Sequence, residues 1–311
     1  MRVFVAGATG AIGRPLVSQL LEAGHEVVGM TRSEERAEGL RARGAEAVVC
    51  DANDSDALHA AVVGARPDAI VHQLTDLPRE FNPKGPVGQT GALRSQAGRV
   101  LIAAGREVGA RRVVAQSISF VYRPTGDWVK DESAPTIDVG DSDDLVAVQF
   151  RGTFEMEREV TGAEGMEGLV LRYGFFYGPG TWYARGTKLA RRFERRLFPV
   201  VGDGAGVFSF VHVDDAASAT VAALERGSSG IYNVVDDEPA PAREWMPVFA
   251  EAVGGKPPRR VPVWMARLVA GERSARMATT MRGASNEKAK RELGWQPRWA
   301  SWRQGFREGL G

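Results

Sequence analysis

Three glycines spaced three residues apart, directly after a short apolar stretch, constrain this chain more than any other feature. Arg2–Ala6 is rich in β-branched and aromatic residues, which predicts a short buried strand. Gly7, Gly10 and Gly13 follow it. Apolar residues then recur at the spacing of one helix face up to Gly24, a residue typical of a helix C-terminus. The sequence therefore predicts a strand, a glycine-rich turn and a helix.

This order of elements favours a dinucleotide site, because a helix N-terminus offers N–H donors and a positive dipole end to a pyrophosphate. Gly7 would allow the tight turn, Gly10 the close approach of the backbone to the pyrophosphate, and Gly13 the close packing of the helix. An ordinary glycine-rich turn that binds no nucleotide is the alternative. The contacts predicted for this turn are Gly7, Thr9, Gly10, Ala11, Ile12 and Gly13.

The end of the second predicted strand, residues 25–30, indicates which dinucleotide is favoured. An acidic residue there would bind the ribose hydroxyls of NAD, but the strand leads into Thr31, Arg32 and Ser33, with no acid before Glu34. Arg32 can pair with a 2′-phosphate, to which Ser33 or Thr31 can donate a hydrogen bond. The pattern favours NADP(H) and leaves NAD(H) open. The alternative is that Arg32 is a solvated loop residue facing Glu34 or Glu35.

Composition limits the classes of function. Lysine and arginine number 40 against 39 acidic residues, so the net charge of +1 gives no electrostatic basis for binding nucleic acid or an anionic membrane. The single Cys50 excludes an intramolecular disulfide and fits a reducing compartment. We expect neither a signal peptide nor a bilayer-spanning run, and no metal site. These features predict a cytoplasmic protein that acts on a small molecule.

Predicted strands and helices alternate five times, which favours an α/β fold with a Rossmann-type, doubly wound parallel sheet. The later strands are predicted at 45–50, 69–73, 112–116 and 168–172. Residues 77–91 are rich in proline and glycine and are predicted to form a loop beside the substrate cleft. We expect a dinucleotide-binding domain at 1–173, with exchanges from the C-terminal half, and a smaller, mainly substrate-binding lobe at 174–311.

The G-x-x-G-x-x-G spacing resembles that of the extended and atypical short-chain dehydrogenase/reductases, in the NAD-dependent epimerase/dehydratase superfamily. The segments LRYGFFYGPG (171–180) and SNEKAKRELGWQP (285–297) are also similar to motifs of that family, so the resemblance covers nearly the whole chain. It implies a homodimer formed through the long helices near 92–108 and 145–162. It also implies further cofactor contacts at strand ends: Asp51, Ala52, Leu74, Thr75, Gln116 and Tyr173.

The family's catalytic residues are missing from their expected positions. In relatives a Ser or Thr follows the fifth strand, and a Tyr-x-x-x-Lys pair on the next long helix supplies the acid and the cation that holds the nicotinamide ribose. Here Gln149 stands in the Tyr position and Thr153 in the Lys position, and no Tyr-x-x-x-Lys occurs anywhere in the chain. The Ser/Thr position falls on Ile118, and a shift of one residue would restore Ser117 or Ser119.

Another group must therefore supply any proton that the reaction needs. The hydroxyls of Ser117 and Ser119, an ordered water and four tyrosines are the alternatives, with Tyr177 preferred. The tyrosines are Tyr122, Tyr173, Tyr177 and Tyr183. Gln149 is kept as a further candidate because of its position.

The C-terminal half predicts an unusual substrate for this family. Epimerases of nucleotide sugars commonly carry an Asn within 174–176 and an Arg just before the V-x-D segment, whereas this chain has Gly-Phe-Phe and, at the second place, Val207 and Phe208. A nucleotide sugar is therefore disfavoured. Aromatic residues favour a flatter, less polar ligand, although half of them would suit a core. They are Tyr173, Phe175, Phe176, Tyr177, Trp182, Tyr183 and Phe208.

Two acidic residues and a histidine nearby are interpreted as structural. Asp214 and Asp215 are predicted to cap a helix over 216–225 rather than to act as a carboxylate pair. His212 lies on an alternating apolar strand and is predicted to be packed rather than catalytic.

Three hypotheses of function follow. The first is an NADP-dependent oxidoreductase of a small, partly apolar carbonyl or alcohol that works without the usual Tyr/Lys proton relay. The second keeps the fold and cofactor but performs an isomerase, dehydratase or cyclase reaction. The third is a regulator that senses NADP without turnover.

Overall fold

In the computed structural model, strands and helices alternate through the first two thirds of the chain. The structure describes residues 1–78, 80–81, 89–142 and 144–311. The first elements are β1 Arg2–Ala6, α1 Gly13–Glu22, β2 Glu26–Thr31, α2 Glu34–Arg41, β3 Glu46–Val49, α3 Ser55–Ala65, β4 Ala69–His72, α4 Thr90–Glu107, β5 Arg112–Ile118, β6 Val129–Lys130, α5 Leu145–Thr161 and β7 Glu167–Tyr173. The later elements are β8 Phe175–Tyr177, α6 Lys188–Glu194, β9 Val200–Val201, β10 Val207–Phe208, β11 Phe210–His212, α7 Val213–Glu225, β12 Gly230–Val234, β13 Ala240–Pro241, α8 Ala242–Ala252, β14 Arg260–Val261, α9 Val263–Thr280, β15 Gly283–Ala284, α10 Glu287–Leu293 and α11 Trp302–Glu308.

A seven-stranded sheet in the order β12-β7-β5-β4-β1-β2-β3 forms the centre of the molecule. Every neighbouring pair is parallel, so all the carboxyl ends of the strands meet at one edge. The strand order reverses next to β1, the place at which a doubly wound sheet binds its ligand. The predicted α/β fold with a Rossmann-type parallel sheet is confirmed.

Both faces of the sheet are covered, as expected for parallel strands with apolar sequences. Side chains of β1 alternate between two cores: Val3 and Val5 pack with α1 and α7, whereas Phe4 and Ala6 pack with α3, α4 and α5. This alternation fixes the strand register, because a slip of one residue would exchange the two faces.

The C-terminal part forms a lobe with an aromatic core of its own. Trp245 and Phe249 of α8 pack there with Phe193, Phe210 and Phe306. The strand β12 returns from this half of the chain to the edge of the large sheet, where it pairs with β7. The division at residues 173 and 174 stays a prediction.

Two local predictions need correction or limitation. The helix predicted at 216–225 begins at Val213, and its N-cap is His212, whose ring accepts the N–H of Asp214, so the prediction of an aspartate cap is wrong. Asp215 instead lies buried in the first turn. The loop predicted at 77–91 falls mostly on Arg79 and residues 82–88, outside the described residues, and α4 already begins at Thr90.

Among the helices that the structure describes, none is both long and apolar enough to cross a membrane.

Candidate functional site

The glycine turn has the geometry of a tight cradle. Gly7 adopts φ +99, a conformation that L residues rarely adopt, and a Cβ there would lie 2.8 Å from the carbonyl oxygen of Gln73. The N–H of Gly10 donates to the carbonyl of Gly7 at 3.1 Å and closes the turn. A Cβ on Gly13 would collide with the carbonyl of Gly7 and with the backbone of Ala8. The turn and the start of α1 therefore fit together only as glycine backbone.

A cleft of about 240 Å³ opens at the carboxyl edge of the sheet, directly in front of this turn. Eight predicted cofactor residues line it: Gly7, Thr9, Gly10, Arg32, Asp51, Ala52, Leu74 and Thr75. The lining also includes Met30, Thr31, Arg36, Asn53, Gln73, Asp76, Gln89 and Leu93. Of these, only Thr31 was predicted from the sequence as a possible contact. Most of the others adjoin a predicted position, whereas Gln89 and Leu93 come from the start of α4 and needed the tertiary structure.

The remaining predicted cofactor residues do not line this cleft. Ile12 is 5% exposed and packs in the core. Gly13 lies directly against the backbone of Gly7 and Ala8. Ser33 is occupied as the N-cap of α2, where its hydroxyl accepts the N–H of Arg36. Gln116 and Tyr173 are buried among core side chains. Ala11 is half-buried at the start of the helix.

One end of the cleft carries exposed polar groups, and we call it the adenosine end because the predicted dinucleotide would place its adenosine there. Arg32 and Arg36 are exposed and both line the cleft. Thr9 and Thr31 place their hydroxyls 3.4 Å apart beneath them. Across the cleft, the exposed carboxylate of Asp51 accepts from the backbone and the side chain of Asn53. This end therefore offers two cations and one oriented carboxylate.

A buried polar network lies outside the lining of this cleft, at the carboxyl ends of β5, β7 and β12, and we call this region the reaction end. The carboxylate of Glu157 accepts from Nε and Nη2 of Arg172 at 2.8 and 2.6 Å and from the hydroxyl of Ser117 at 2.6 Å. Tyr122 accepts from Arg172 and donates to the amide oxygen of Asn233 at 2.6 Å. All five residues are at most 4% exposed. The hydroxyls of Ser117 and Tyr122 and the carboxylate of Glu157 therefore all have hydrogen-bond partners within this network.

Burial shapes the titration of this network. Burial alone would lower the pKa of Arg172, but the hydrogen bonds and charge of Glu157 outweigh it and raise that pKa. Burial raises the pKa of Tyr122, and it raises the pKa of Tyr173 to about 12. These two phenols therefore stay protonated at neutral pH.

The residues predicted to supply a proton are mostly occupied or enclosed. Ser117 and Tyr122 are held by the network just described. Tyr177 is 0% exposed in the aromatic core of the lobe, and burial raises its pKa, so its position argues against a role as proton donor. Tyr183 is also buried there.

The two positions that replace the Tyr/Lys pair are held by backbone groups. Gln149 accepts the N–H of Gly91 with its side-chain oxygen, and Thr153 donates to the carbonyl of Gln149 at 3.0 Å. Gly91 and Gly152 bring α4 and α5 so close that a Cβ on either would collide with the other helix. Gln149 thus joins α5 to Gly91 of α4, and the hydroxyl of Thr153 also accepts from Nη1 of Arg94 on α4 at 3.4 Å.

Ser119 differs from the other candidates. It follows β5 directly, its N–H donates to the carbonyl of Tyr173 at 2.8 Å, and its hydroxyl makes no hydrogen bond with the residues that the structure describes. Beside it, the half-buried ring of Phe120 stacks on Phe175 with 4.7 Å between ring centroids. A free hydroxyl next to an aromatic platform suits a flat ligand.

About half of the predicted aromatic run belongs to the core. Tyr173, Tyr177, Tyr183 and Phe208 are buried, whereas Phe175, Phe176 and Trp182 are half-buried. His212 is 3% exposed and pairs with the carbonyl of Gly309, which confirms that it is packed. Asp215 accepts the N–H groups of Arg298 and Trp299 at 2.9 Å each, so its role is to hold the chain before α11. Within the described ranges, His, Cys, Asp and Glu form no group of three that could bind a metal ion.

Comparisons with known proteins agree with this geometry. Residues 3–235 match the NAD dependent epimerase/dehydratase family. The chain is 45% identical to the 3-diazoavenalumate denitrifying reductase of a Streptomyces species, over 98% of this chain and 99% of that protein. Its fold is similar to that of a human epimerase family protein solved with NADPH, with a TM-score of 0.75, 22% identity and coverage of 100% and 99% of the two chains. It is also similar to that of a Thermus thermophilus UDP-glucose 4-epimerase in complex with NAD, with a TM-score of 0.71, 24% identity and coverage of 100% and 98%. With three quarters of its length matched, the chain belongs to the NAD-dependent epimerase/dehydratase family.

Proposed function

We propose that this protein is an NADPH-dependent reductase whose substrate accepts a hydride without taking a proton from a side chain. The observation that carries the proposal is a contrast between two regions. Arg32, Arg36 and Asp51 are exposed in the cleft at the adenosine end, whereas the polar side chains of the reaction end are buried and bonded to one another. The glycine cradle fits a dinucleotide, because a Cβ on Gly7 or Gly13 would collide with backbone there.

The preference for NADPH rests on Arg32 and Arg36. Both cations line the adenosine end, and no acidic residue follows β2 until Glu34, so the site suits a 2′-phosphate better than two free ribose hydroxyls. A charge-assisted hydrogen bond contributes about 1.5–3 kcal/mol, which corresponds to a factor of about 10 to 100 in affinity.

Titration of the purified protein with NADPH and with NADH, followed by fluorescence, tests this preference. We expect tighter binding of NADPH, and we expect Arg32→Ala and Arg36→Ala each to weaken NADPH about tenfold while NADH is little affected. Arg43→Ala, on the exposed C-terminal side of α2, is the matched control. Equal or tighter binding of NADH would contradict the NADPH preference, and binding of neither would contradict the reductase itself.

The relative with 45% identity is named for a diazo substrate, for reduction and for loss of nitrogen, and we propose an aryl diazonium as the substrate class here. A bound NADPH supplies a hydride. In the overall step the hydride forms a new C–H bond on the ring carbon, the C–N bond breaks, and N₂ leaves with its electron pair. The positive charge of the diazonium is neutralised, and no proton is consumed. Such a reaction does not need the Tyr/Lys relay that Gln149 and Thr153 replace.

The residues of the chain would then bind and orient the substrate. Phe120, stacked on Phe175, offers a flat face for an aryl ring, and the free hydroxyl of Ser119 lies beside it. Phe81 and Trp182, at 5.6 Å between centroids, form a second aromatic pair, and the indole of Trp182 donates to the carbonyl of Pro78. These rings would exclude water from the reacting carbon.

Reduction of a small carbonyl is the second candidate, and the free hydroxyl of Ser119 favours it. A carbonyl needs a proton as well as a hydride, and Ser119 or a water bound to it is the group placed to deliver one.

Turnover of 4-hydroxybenzenediazonium and of a panel of aryl ketones and aldehydes would separate the two candidates. With NADPH carrying deuterium at the transferable position, the diazonium reaction should release N₂ and leave one deuterium on the carbon that bore nitrogen. If the protein reduces only the carbonyls, and the Ser119→Ala variant loses that activity, the result would support the second candidate and contradict the first.

A further inference from the structure

Arg94, a buried cation near the reaction end, forms no ion pair with the residues that the structure describes. Arg94 of α4 is 3% exposed, and its Nε has no hydrogen-bond partner among the described residues. Its guanidinium makes one hydrogen bond there, a long one of 3.4 Å from Nη1 to the hydroxyl of Thr153. Burial lowers the pKa of Arg94 to about 10, but the group stays charged at neutral pH. An enclosed cation with so little compensation destabilises a fold.

The nearby carboxylate does not neutralise it. Glu157 attracts Arg94, yet both of its oxygens already accept hydrogen bonds from Arg172, and one also accepts from Ser117. Two guanidinium groups therefore share one carboxylate, which leaves a net positive charge beside α5. A ligand that offers hydrogen-bond acceptors to this guanidinium would stabilise its charge.

Arg94 adjoins the cleft: it follows Leu93, which lines the cleft, although Arg94 itself lies behind the lining. Side chains of an α-helix tilt towards its N-terminus. The N-terminus of α4 lies at the carboxyl edge of the sheet, where Gln89 and Leu93 line the cleft. The carbonyl of Arg94 accepts from His72 at the end of β4, which places this turn of α4 at the same edge.

The half of the cleft that adjoins Arg94 is the one away from the adenosine end. Arg32, Arg36 and Asp51 mark the adenosine end beyond β2 and β3, whereas residues 73–76 and 89–93 lie beyond β4. A dinucleotide that spans these strand ends places its second ribose and its nicotinamide on the β4 side.

We propose that Arg94 reaches from α4 into the space that Thr153 leaves and binds the hydroxyls of the nicotinamide ribose with its guanidinium. The assignment rests on the proposed NADPH site. It explains why a chain without Lys at position 153 keeps a costly cation on the neighbouring helix. Thr153 then acts as a positioning residue, because its hydroxyl is the one group among the described residues that accepts a hydrogen bond from the guanidinium.

The test compares two ligands that share the adenosine half. NADPH carries the nicotinamide ribose, whereas adenosine 2′,5′-bisphosphate lacks it. Arg94→Met, which keeps an unbranched side chain of similar width without the charge, should weaken NADPH about 10- to 100-fold and leave adenosine 2′,5′-bisphosphate unchanged. The apo protein should unfold at the same temperature or a higher one, because an unpaired buried charge has been removed.

A matched control and a rescue variant complete the design. Arg99→Met removes a cation from the exposed side of the same helix, where it pairs with Glu159 at 2.8 Å, and should leave both affinities unchanged. Arg94→Met combined with Thr153→Lys should recover NADPH affinity.

Two results would overturn the assignment: unchanged NADPH affinity in Arg94→Met, or an equal loss for both ligands together with a lower unfolding temperature. Failure of the unmodified protein to bind NADPH would instead overturn the proposed function.

Discussion

The adenosine end of the cleft and the reaction end, at the carboxyl ends of β5, β7 and β12, use polar residues in opposite ways. At the adenosine end, Arg32, Arg36 and Asp51 are exposed and line the cleft. At the reaction end, Ser117, Tyr122 and Glu157 are buried and bonded within the protein. The first set is available to a ligand, and the second set already has its partners.

This difference distinguishes residues that bind a ligand from residues that stabilise the fold. Buried polar groups that satisfy one another make one arrangement of the surrounding elements more stable than others, but they have no donor left for a substrate. Polar groups exposed in a cleft contribute little to folding and bind when a ligand arrives. Four measurements would break or sharpen this comparison.

The largest effect is expected from Glu157→Gln. Its carboxylate pairs with Arg172 at 2.6 Å with both side chains nearly enclosed, so the substitution leaves a buried guanidinium without a counter-ion. Breaking such a pair costs about 3–5 kcal/mol in the free energy of unfolding, measurable by urea denaturation. Glu167→Gln removes the partner of Arg112 at an exposed position and should cost less than about 1 kcal/mol. Equal costs for the two variants would mean that the network does not stabilise the reaction end.

A pH-dependent effect is expected from His72. Its ring lies fully enclosed between the carbonyl of Arg94 and the N–H of Leu74, and burial lowers its pKa to about 4. The unfolded chain takes up a proton near pH 6.5, whereas the folded chain does so only near pH 4. Stability is therefore complete above pH 6.5 and falls as the pH drops to 4, by about 3 kcal/mol in total.

Urea titrations at pH 7 and pH 5 would check this. His72→Gln should flatten the pH dependence, since glutamine can keep the hydrogen bond and does not titrate. His59→Gln, at a more exposed ring, should leave the slope as it is. If the unfolding free energy of His72→Gln still falls between pH 7 and pH 5, other groups cause the pH dependence.

At the adenosine end, Gly13→Ala should weaken NADPH about 100-fold. The new methyl group would meet the carbonyl of Gly7 and push the glycine turn away from α1, so the cradle for the pyrophosphate would be lost. Gly39→Ala is the matched control, because Gly39 lies exposed on α2 with open space around it and should gain up to about 1 kcal/mol of stability. Retention of NADPH affinity in Gly13→Ala would show that the turn does not form the site.

The sequence was sufficient for the adenosine end because its information is local. Gly7, Gly10, Arg32 and Asp51 each lie at or just beyond the end of a strand, and the parallel sheet brings such ends to one edge. Glycine spacing and the alternation of elements indicated Gly7, Gly10 and Arg32, whereas the resemblance to the family implied Asp51, Leu74 and Thr75. All six line the cleft, and none of these predictions required knowing which helix packs on which.

The reaction end depends on contacts between distant segments. Glu157, Arg172, Tyr122 and Asn233 meet only after β5, β7 and β12 are paired in register. The pattern around Tyr177 indicated an aromatic strand but not which side faces the lobe core, and the structure places the Tyr177 ring in that core. The burial of Arg94 could not be predicted from the sequence, because an arginine on a helix is usually exposed to solvent.

The smallest effects distinguish the two serines on either side of Ile118. Ser117→Ala removes a donor from the buried carboxylate of Glu157 and should cost about 1–3 kcal/mol of stability while leaving kcat little changed. Ser119→Ala removes a hydroxyl without a partner among the described residues, so stability should change by less than about 0.5 kcal/mol. If Ser119 orients the substrate, KM or kcat should change about tenfold, because a hydrogen bond worth about 1 kcal/mol or more is lost. Urea denaturation and steady-state kinetics on both variants test these roles. A loss of stability in Ser119→Ala together with a change in kcat or KM in Ser117→Ala would contradict the assignment of Ser117 to folding and of Ser119 to substrate binding.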